Sequence, residues 1–239
     1  MNRRNFFEST FALFPLLLSF DTIALSEFST GVQVINSGVG GNNTVDLLAR
    51  IEKDCLLHQP DLTVLMVGTN DMNSKKFISL GQYEKNMRSI IEAILKIKSQ
   101  IVLMNLLPVY EPYLFTRHNS EFYQPEGHSG RLTQMNNFIK GISDEYKLSF
   151  LDIHHLFERI GNIGLDKLSL IKNEANSNTT DGLHPTADGY RLLGLSVYQH
   201  IIYSGLPHSK IVCFGDSITF GDGGIDGQSY PGYLNKLLN

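Results

Sequence analysis

The sequence predicts an α/β protein, a three-layer α/β/α sandwich around a five-stranded parallel sheet. Five short apolar runs alternate with helical patterns, as βαβ units require. The runs are apolar throughout rather than alternating, which is typical of parallel strands covered by helices on both faces. The chain has 239 residues and is 42% hydrophobic, which is enough for the core of one such domain and too apolar for a disordered chain.

The predicted strands are short and each is followed by a loop or a helix. They are residues 32–35 (VQVI), 62–67 (LTVLMV), 101–107 (IVLMNLL), 148–153 (LSFLDI) and 211–214 (IVCF). The third run is expected to stop at Pro108, because proline has no N–H to donate to a neighbouring strand.

Helical periodicity fills the intervals between these runs. Helices are expected over residues 45–57, 80–98, 130–146, 186–203 and 233–238. The first helix is expected to begin at Asn43 or Thr44, whose side chains can accept a hydrogen bond from a free backbone N–H. The second helix has one apolar face, which should pack against the sheet. That face consists of Tyr83, Met87, Ile90, Ile91, Ile94 and Leu95.

Two longer irregular stretches, residues 110–129 and 158–180, interrupt this alternation. Long loops in compact domains are often functional. The first stretch is equally well interpreted as a solvated loop or as a lid or wall for a substrate.

Composition excludes several classes of function. Lys and Arg number 20 against 24 Asp and Glu, so there is no basic excess to neutralise phosphates and no nucleic-acid partner is expected. Two cysteines cannot form a disulfide scaffold, and Cys213 lies in a predicted strand, so free thiols are expected. No apolar stretch reaches the roughly 18 residues of a membrane-spanning helix.

A metal site is not predicted. The adjacent residues His154 and His155 follow a predicted strand, whose alternation would point the two rings to opposite faces. No further histidine or carboxylate is found at a ligand spacing beyond Asp152. We therefore interpret both histidines as structural.

Residues 1–25 have the layout of an export signal. A pair of arginines opens the segment, an apolar run over residues 10–20 follows, and small residues before Leu25 resemble a cleavage site. The paired arginines also resemble a twin-arginine signal. The alternative is a buried N-terminal helix, which would leave the protein in the cytoplasm. With a signal, the mature chain is an exported, periplasmic or extracellular, single domain over residues 26–239.

Four loops carry small and polar residues where open α/β sheets bind ligands, beyond the carboxyl ends of the strands. They are Gly215-Asp216-Ser217 after the fifth strand, residues 36–42 (NSGVGGN) after the first, residues 68–71 (GTND) after the second and residues 181–184 (DGLH) before the last long helix. Each loop alone is an ordinary turn or helix cap. Their joint presence at one edge of a sheet indicates a site.

The residue types in these loops are those that acyl transfer by serine requires. The hydroxyl of Ser217 needs a base to take its proton, and His184 can do so. The imidazole needs a carboxylate to fix its tautomer, and Asp181 is three residues away. A tetrahedral oxyanion needs hydrogen-bond donors, which the backbone N–H groups of Ser217 and Gly41 and the amide of Asn70 can supply.

The four blocks resemble those of the SGNH, or GDSL, hydrolases over nearly all of residues 31–239. The resemblance implies the flavodoxin-like fold of that family and an esterase that needs no metal or cofactor. It implies Ser217 as nucleophile, His184 as base and Asp181 as the orienting carboxylate. It implies Gly41 and Asn70 as oxyanion donors. Gly41 is preferred to Gly40 because it lies five residues after Asn36, as in the family pattern.

The order of the blocks departs from the family, because the GDS block comes last here and first there. Read cyclically, the order is the usual one, so the chain resembles a circular permutant whose new connection is residues 204–209. The strand 211–214 should then lie between strands 32–35 and 62–67. The alternative is a truncated tandem copy, in which Ser217 would need the His184 of another chain.

For an exported enzyme, the resemblance implies a small acyl-ester substrate and favours O-deacetylation of a carbohydrate. Lysophospholipase, thioesterase or arylesterase activity is the alternative within the family. Two hypotheses outside hydrolysis stay open. The protein could transfer an acyl group to a sugar, or it could be an inactive relic that binds carbohydrate.

Overall fold

The structure of the protein is a computed structural model that describes residues 31–222 and 228–239. Gly31–Asn239 form one compact unit. The predicted export signal over residues 1–25 and the predicted domain boundary at residue 26 lie outside the described residues. Within the described part of the chain, no helix has both the length and the apolar character that crossing a bilayer requires.

A five-stranded parallel sheet forms the centre of the fold, as predicted. Its strands are β1 (Gln33–Gly38), β2 (Leu62–Met66), β3 (Gln100–Met104), β4 (Ser149–Leu151) and β5 (Lys210–Gly215). The spatial order is β1-β5-β2-β3-β4, and every pairing is parallel. The C-terminal strand β5 therefore lies between β1 and β2, where the sequence predicts it.

The helices cover this sheet in two further layers. They are α1 (Thr44–Asp54), α2 (Leu80–Lys96), α3 (Glu111–Leu114), α4 (Gly127–Tyr146), α5 (Ile153–Ile160), α6 (Glu174–Ser177), α7 (Ala187–Tyr203), α8 (Ser217–Phe220) and α9 (Tyr230–Leu238). Of the two predicted caps, Asn43 is the one used, and it forms a reciprocal capping box with Asp46. The predicted apolar face of α2 is buried except for Leu95, whose exposed fraction is 36%.

Three predictions of local structure need correction. The third strand, β3, ends at Met104 rather than at the residue before Pro108. The long irregular stretches contain α3, α6 and a 3₁₀ turn at Ser120–Tyr123. The segment after β4 is a helix rather than a continued strand, because the Asp152 side chain accepts a hydrogen bond from the His155 N–H at 3.1 Å and caps α5. The two histidines therefore do not alternate across a sheet, and Glu158 lies near both rings, at 3.4 Å from His154 Nε2 and 3.9 Å from His155 Nδ1.

The register of the sheet places the ends of three strands at one level. Gly215 at the end of β5 is in register with Gly38 of β1 on one side and with Met66 of β2 on the other. A Cβ on Gly38 would overlap the Phe220 backbone, and a Cβ on Gly215 would overlap Thr219. The loops that follow β1, β2 and β5 therefore begin side by side at the carboxyl edge of the sheet.

Both cysteines, Cys55 and Cys213, are buried free thiols, as predicted. Cys213 lies in the central strand β5, and burial raises the pKa of its thiol to about 12. It is therefore a packing residue of the core.

Candidate active site

Ser217 is the first residue of α8 and directly follows the turn at the end of β5. The preceding residue, Asp216, caps this short helix by accepting a hydrogen bond from the Ile218 N–H at 2.9 Å. The strand-to-helix turn leaves Ser217 half-buried while its neighbours on both sides are buried. The hydroxyl is thereby presented at the carboxyl edge of the sheet.

His184 lies in the loop before α7, and the Asp181 carboxylate shapes that loop. One oxygen of Asp181 accepts hydrogen bonds from the N–H groups of Leu183 at 2.9 Å and His184 at 2.7 Å. Gly182 adopts a φ of +71°, which glycine tolerates and which brings its backbone against Tyr110. The four-residue DGLH block is therefore a tight turn that folds the carboxylate back onto the ring of His184.

The structure brings Ser217, His184 and Asp181 together within one chain. The Nε2 atom of His184 lies 3.0 Å from Ser217 Oγ. The Nδ1 atom lies 2.9 Å and 3.1 Å from the two carboxylate oxygens of Asp181. Because a carboxylate only accepts, Nδ1 carries the hydrogen and the lone pair of neutral His184 faces the hydroxyl.

Electrostatics keep Asp181 ionised. Burial alone would raise the pKa of this carboxyl, but the hydrogen bond and positive charge of His184 and the two backbone N–H groups outweigh it. The pKa of Asp181 is consequently held well below its usual range. The carboxylate is thus an acceptor for the ring at any pH near neutrality.

Asn70 lies between the glycine loop and the serine turn. Its Nδ2 atom donates to the main-chain oxygen of Asn42 at 2.9 Å and lies 3.5 Å from a carboxylate oxygen of Asp216. Gly41, next to Asn42, is exposed and adopts a φ of +76° at the tip of its turn. No hydrogen bond within the described residues uses the N–H of Gly41. The predicted oxyanion donors therefore come from three neighbouring loops.

Arg50 of α1 is a residue of this region that the sequence reasoning missed. Its guanidinium donates to the main-chain oxygens of Gly215 at 2.7 Å and Ser37 at 3.0 Å, and to Asn42 Oδ1 at 2.7 Å. It thereby ties the glycine loop to the end of β5. An arginine three residues after the buried Leu47, on the core-facing side of the helix, is the signal that could have indicated it.

Asp71 ties the start of α1 to the loop after β2. Its carboxylate accepts hydrogen bonds from the Thr44 N–H at 3.0 Å and 3.1 Å and from the Thr44 hydroxyl. Asn86 of α2 donates in turn to that hydroxyl at 2.9 Å. Burial raises the pKa of Asp71 to about 6, although the Thr44 hydrogen bonds partly offset it.

Asp216 is a second buried carboxyl, directly beside Ser217. Burial raises its pKa to about 6, the Ile218 N–H and the positive charge of His184 oppose the shift, and the negative charge of Asp71 adds to it. It therefore differs from Asp181, whose pKa moves in the opposite direction.

The stretch 110–129 lies against the site. A guanidinium nitrogen of Arg117 is 3.8 Å from a carboxylate oxygen of Asp181, and another donates to the Asp181 main-chain oxygen. The adjacent His118 is 2.8 Å from the hydroxyl of Ser74 in the loop after β2. These contacts tie the stretch to two neighbouring loops, so it is not a purely solvated loop. Among the described residues, no three histidine, cysteine or acidic side chains converge as metal ligands.

Comparison with known proteins adds a family to this geometry. Residues 22–192 match the GDSL-like Lipase/Acylhydrolase family, a range that contains Gly41, Asn70 and His184 and ends before Ser217. The acetylxylan esterase of Geobacillus stearothermophilus is 25% identical over 179 residues, which are 72% of this chain and 73% of that protein. The uncharacterized lipoprotein YqeF of Bacillus subtilis (strain 168) is 23% identical over 193 residues, 76% of this chain and 74% of that one.

Similarity of fold extends to solved structures. The lipase/acylhydrolase from Enterococcus faecalis superposes with a TM-score of 0.52 at 20% identity, over 70% of this chain and 74% of that one. This likeness agrees with the parallel five-stranded sheet described above. The family match spans more than half of the chain and includes three of the four loops that meet at the sheet edge. The chain therefore belongs to the GDSL-like lipase/acylhydrolase family and is a carboxylic ester hydrolase.

Proposed function

We propose that this protein is an exported O-deacetylase that cleaves carbohydrate esters through an acyl-Ser217 intermediate. One observation carries the chemical part of the proposal. His184 Nε2 lies 3.0 Å from Ser217 Oγ, while Asp181 holds the opposite nitrogen of the same ring. This is the arrangement in which an imidazole can take the proton of a hydroxyl as the hydroxyl attacks.

In the first half of the reaction, Ser217 Oγ attacks the ester carbonyl carbon and its proton passes to His184 Nε2. The imidazolium that forms is stabilised by the Asp181 carboxylate, 2.9 Å from Nδ1. The low pKa of Asp181 keeps that carboxylate charged while the ring is protonated. His184 then gives the proton to the leaving alcohol oxygen as the carbon–oxygen bond of the ester breaks.

The negative charge that develops on the carbonyl oxygen needs donors fixed in advance. The N–H groups of Ser217 and Gly41 and one N–H of Asn70 are the proposed donors. The hydrogen bond from Asn70 to Asn42 supports this grouping, because it anchors the amide beside the glycine loop.

In the second half, water takes the place of the alcohol. His184 takes a proton from the water as the water oxygen attacks the acyl-Ser217 carbonyl. The His184 imidazolium then returns that proton to Ser217 Oγ as the bond between Oγ and the acyl carbon breaks, and the acid is released. The same donors then stabilise the second tetrahedral intermediate.

Similarity to an acetylxylan esterase supports the substrate, because that relative acts on an acetylated carbohydrate by its name. The export proposal is supported by the charge and apolar pattern of residues 1–25 and by similarity to a lipoprotein. A long-chain acyl or thioester substrate is the competing possibility.

The test compares the wild type with Ser217→Ala on acetylated xylo-oligosaccharide, lysophospholipid and p-nitrophenyl esters of two and eight carbons. We expect acetate release from the sugar ester and a burst of nitrophenol, both reduced at least about 10³-fold in the variant. Preference for lysophospholipid or the eight-carbon ester would overturn the substrate. Wild-type rates equal to those of the variant would indicate an inactive relic. Transfer of acetyl to an added sugar acceptor would indicate acyl transfer.

We further propose that the block order arose by circular permutation. Two observations support this over a truncated tandem copy. Ser217 meets His184 of its own chain, and the Asn239 side chain bonds both backbone groups of Val32, at 2.9 Å and 3.0 Å. A variant opened within residues 204–209, with residues 239 and 31 joined by a short glycine linker, should fold and keep activity within about tenfold. Failure of that variant to fold would count against permutation.

A further inference from the structure

We propose that Asn73 is a positioning residue that fixes the orientation of the Asn70 amide, and so decides whether Asn70 presents a donor to the oxyanion. This inference rests on the proposed role of Asn70. An asparagine side chain has a donor end and an acceptor end of nearly equal size, so nothing in its shape selects one orientation. Turned the wrong way, Asn70 would place an oxygen against the developing negative charge.

The orientation is fixed by groups whose polarity cannot change. The main-chain N–H groups of Lys75 and Lys76 can only donate, and they lie 2.9 Å and 3.0 Å from Asn73 Oδ1. The Asn73 amide nitrogen must therefore point away from them, and it donates to Asn70 Oδ1 at 3.0 Å. At the other end, the main-chain oxygen of Asn42 can only accept, and it takes a hydrogen bond from Asn70 Nδ2 at 2.9 Å.

This chain of hydrogen bonds leaves one N–H of Asn70 uncommitted. The first N–H is used by Asn42, and the second has only the 3.5 Å contact with Asp216 Oδ2, which is long for a hydrogen bond. Asp216 is the neighbour of the proposed nucleophile, Ser217. The second N–H of Asn70 is therefore the one that can turn to an oxyanion formed at Ser217.

A purely structural role for Asn73 makes a different prediction. Its Oδ1 atom closes the turn at residues 73–76 by accepting from two backbone N–H groups. Aspartate keeps that acceptor but has no hydrogen to donate to Asn70. Asn73→Asp thus separates the two roles, because it preserves the turn and removes the positioning hydrogen bond.

We expect Asn73→Asp to lower kcat by roughly 10- to 100-fold, with KM within about twofold and an unchanged Tm, since an oxyanion donor acts in the transition state. If activity stays at the wild-type level, the residue only shapes the turn and the inference is wrong. If the aspartate variant does not fold, Asn73→Ser decides, because its hydroxyl can still accept from the turn but is too short to reach Asn70. It should show the same loss of kcat.

A double-mutant cycle separates this inference from the proposed function. Asn70→Ala should lower kcat by roughly 10²–10³-fold, and Asn73→Asp added to it should change kcat by less than about twofold. A loss below tenfold for Asn70→Ala would overturn the donor role of Asn70 itself. A large loss for Asn70→Ala with an additive effect of Asn73→Asp would overturn only the positioning role.

The matched control is Asn137→Asp on the exposed side of α4, which makes the same chemical change at another place. It should leave kcat, KM and Tm unchanged. A loss in the control as large as that of Asn73→Asp would show that added charge alone accounts for the effect, and the inference would fail.

Discussion

Two of the histidine–carboxylate pairs among the described residues, His184–Asp181 and His154–Glu158, differ in what the other ring nitrogen faces. His184 has its Nδ1 atom on Asp181 at 2.9 Å and its Nε2 atom on Ser217 Oγ at 3.0 Å. His154, after β4, has its Nδ1 atom on the main-chain oxygen of Leu106 at 2.8 Å and its Nε2 atom 3.4 Å from Glu158. Each ring thus has one carboxylate partner, but the carboxylate meets opposite nitrogens.

A histidine near a carboxylate is therefore not by itself a catalytic pair. In the first pair the carboxylate fixes the tautomer and leaves a lone pair for the substrate side. In the second pair both ring nitrogens face acceptors. His154 lines a polar cavity of about 350 Å³. The hydroxyl of Thr133 also lines this cavity, but its hydrogen is used within its own helix, in a hydrogen bond to the Ser129 main-chain oxygen at 2.9 Å.

The largest expected effect comes from removing the two rings one at a time. His184→Ala should lower kcat for p-nitrophenyl acetate by at least about 10³-fold without a large change in Tm, because the base is lost and the ring is only partly buried. His154→Ala should change kcat by less than about twofold. Steady-state kinetics and thermal unfolding of both variants give the measurement. Equal losses of kcat in the two variants would contradict the assignment of His184, and not His154, as the catalytic base.

A smaller effect is expected from pH. Activity should rise with pH by about tenfold per unit over the acid limb, because His184 accepts a proton only when neutral. Asp181 does not contribute a second limb near neutrality, since its pKa lies well below the usual range. The rate of nitrophenol release between about pH 5 and 8 gives the measurement. A flat profile over this window would contradict a histidine base.

Asp216 provides the control for that profile, because burial raises its pKa to about 6, within the same window. Asp216→Asn keeps an acceptor for the Ile218 N–H and removes the titrating group. The acid limb should persist in this variant. A limb that disappears would assign the titration to Asp216 instead.

The sequence predicted most of the elements because their signals are local. The five apolar runs, the Asn43 cap and the apolar face of α2 depend on neighbours within a few residues. The helix after β4 was missed because the apolar pattern of LSFLDI continues past the point where Asp152 caps α5. Leu95 was misassigned because it lies at the boundary of the apolar face, where the packing of neighbours decides exposure.

The candidate site was predicted only from its four loop blocks, because the residue types in each block indicate which chemical role that block can fill. The contacts that hold them were not predicted. Arg50 bridges two loops through main-chain oxygens, and Arg117 reaches Asp181 from a stretch 64 positions away in the chain. Hydrogen bonds to backbone oxygens leave no pattern in the partner's side chain, so sequence reading has no signal for them.

Periodicity and functional groups are properties of the residues. The parallel α/β architecture, and the groups that can attack, take a proton and stabilise an oxyanion, therefore follow from the amino-acid sequence alone. The fold, by contrast, decided that Ser217, in the turn after β5, meets a histidine 33 positions earlier in the same chain. It also decided which nitrogen of each histidine meets a carboxylate. The physical reason is that hydrogen bonds act over about 3 Å, and only the register of β5 between β1 and β2 brings the loops that close.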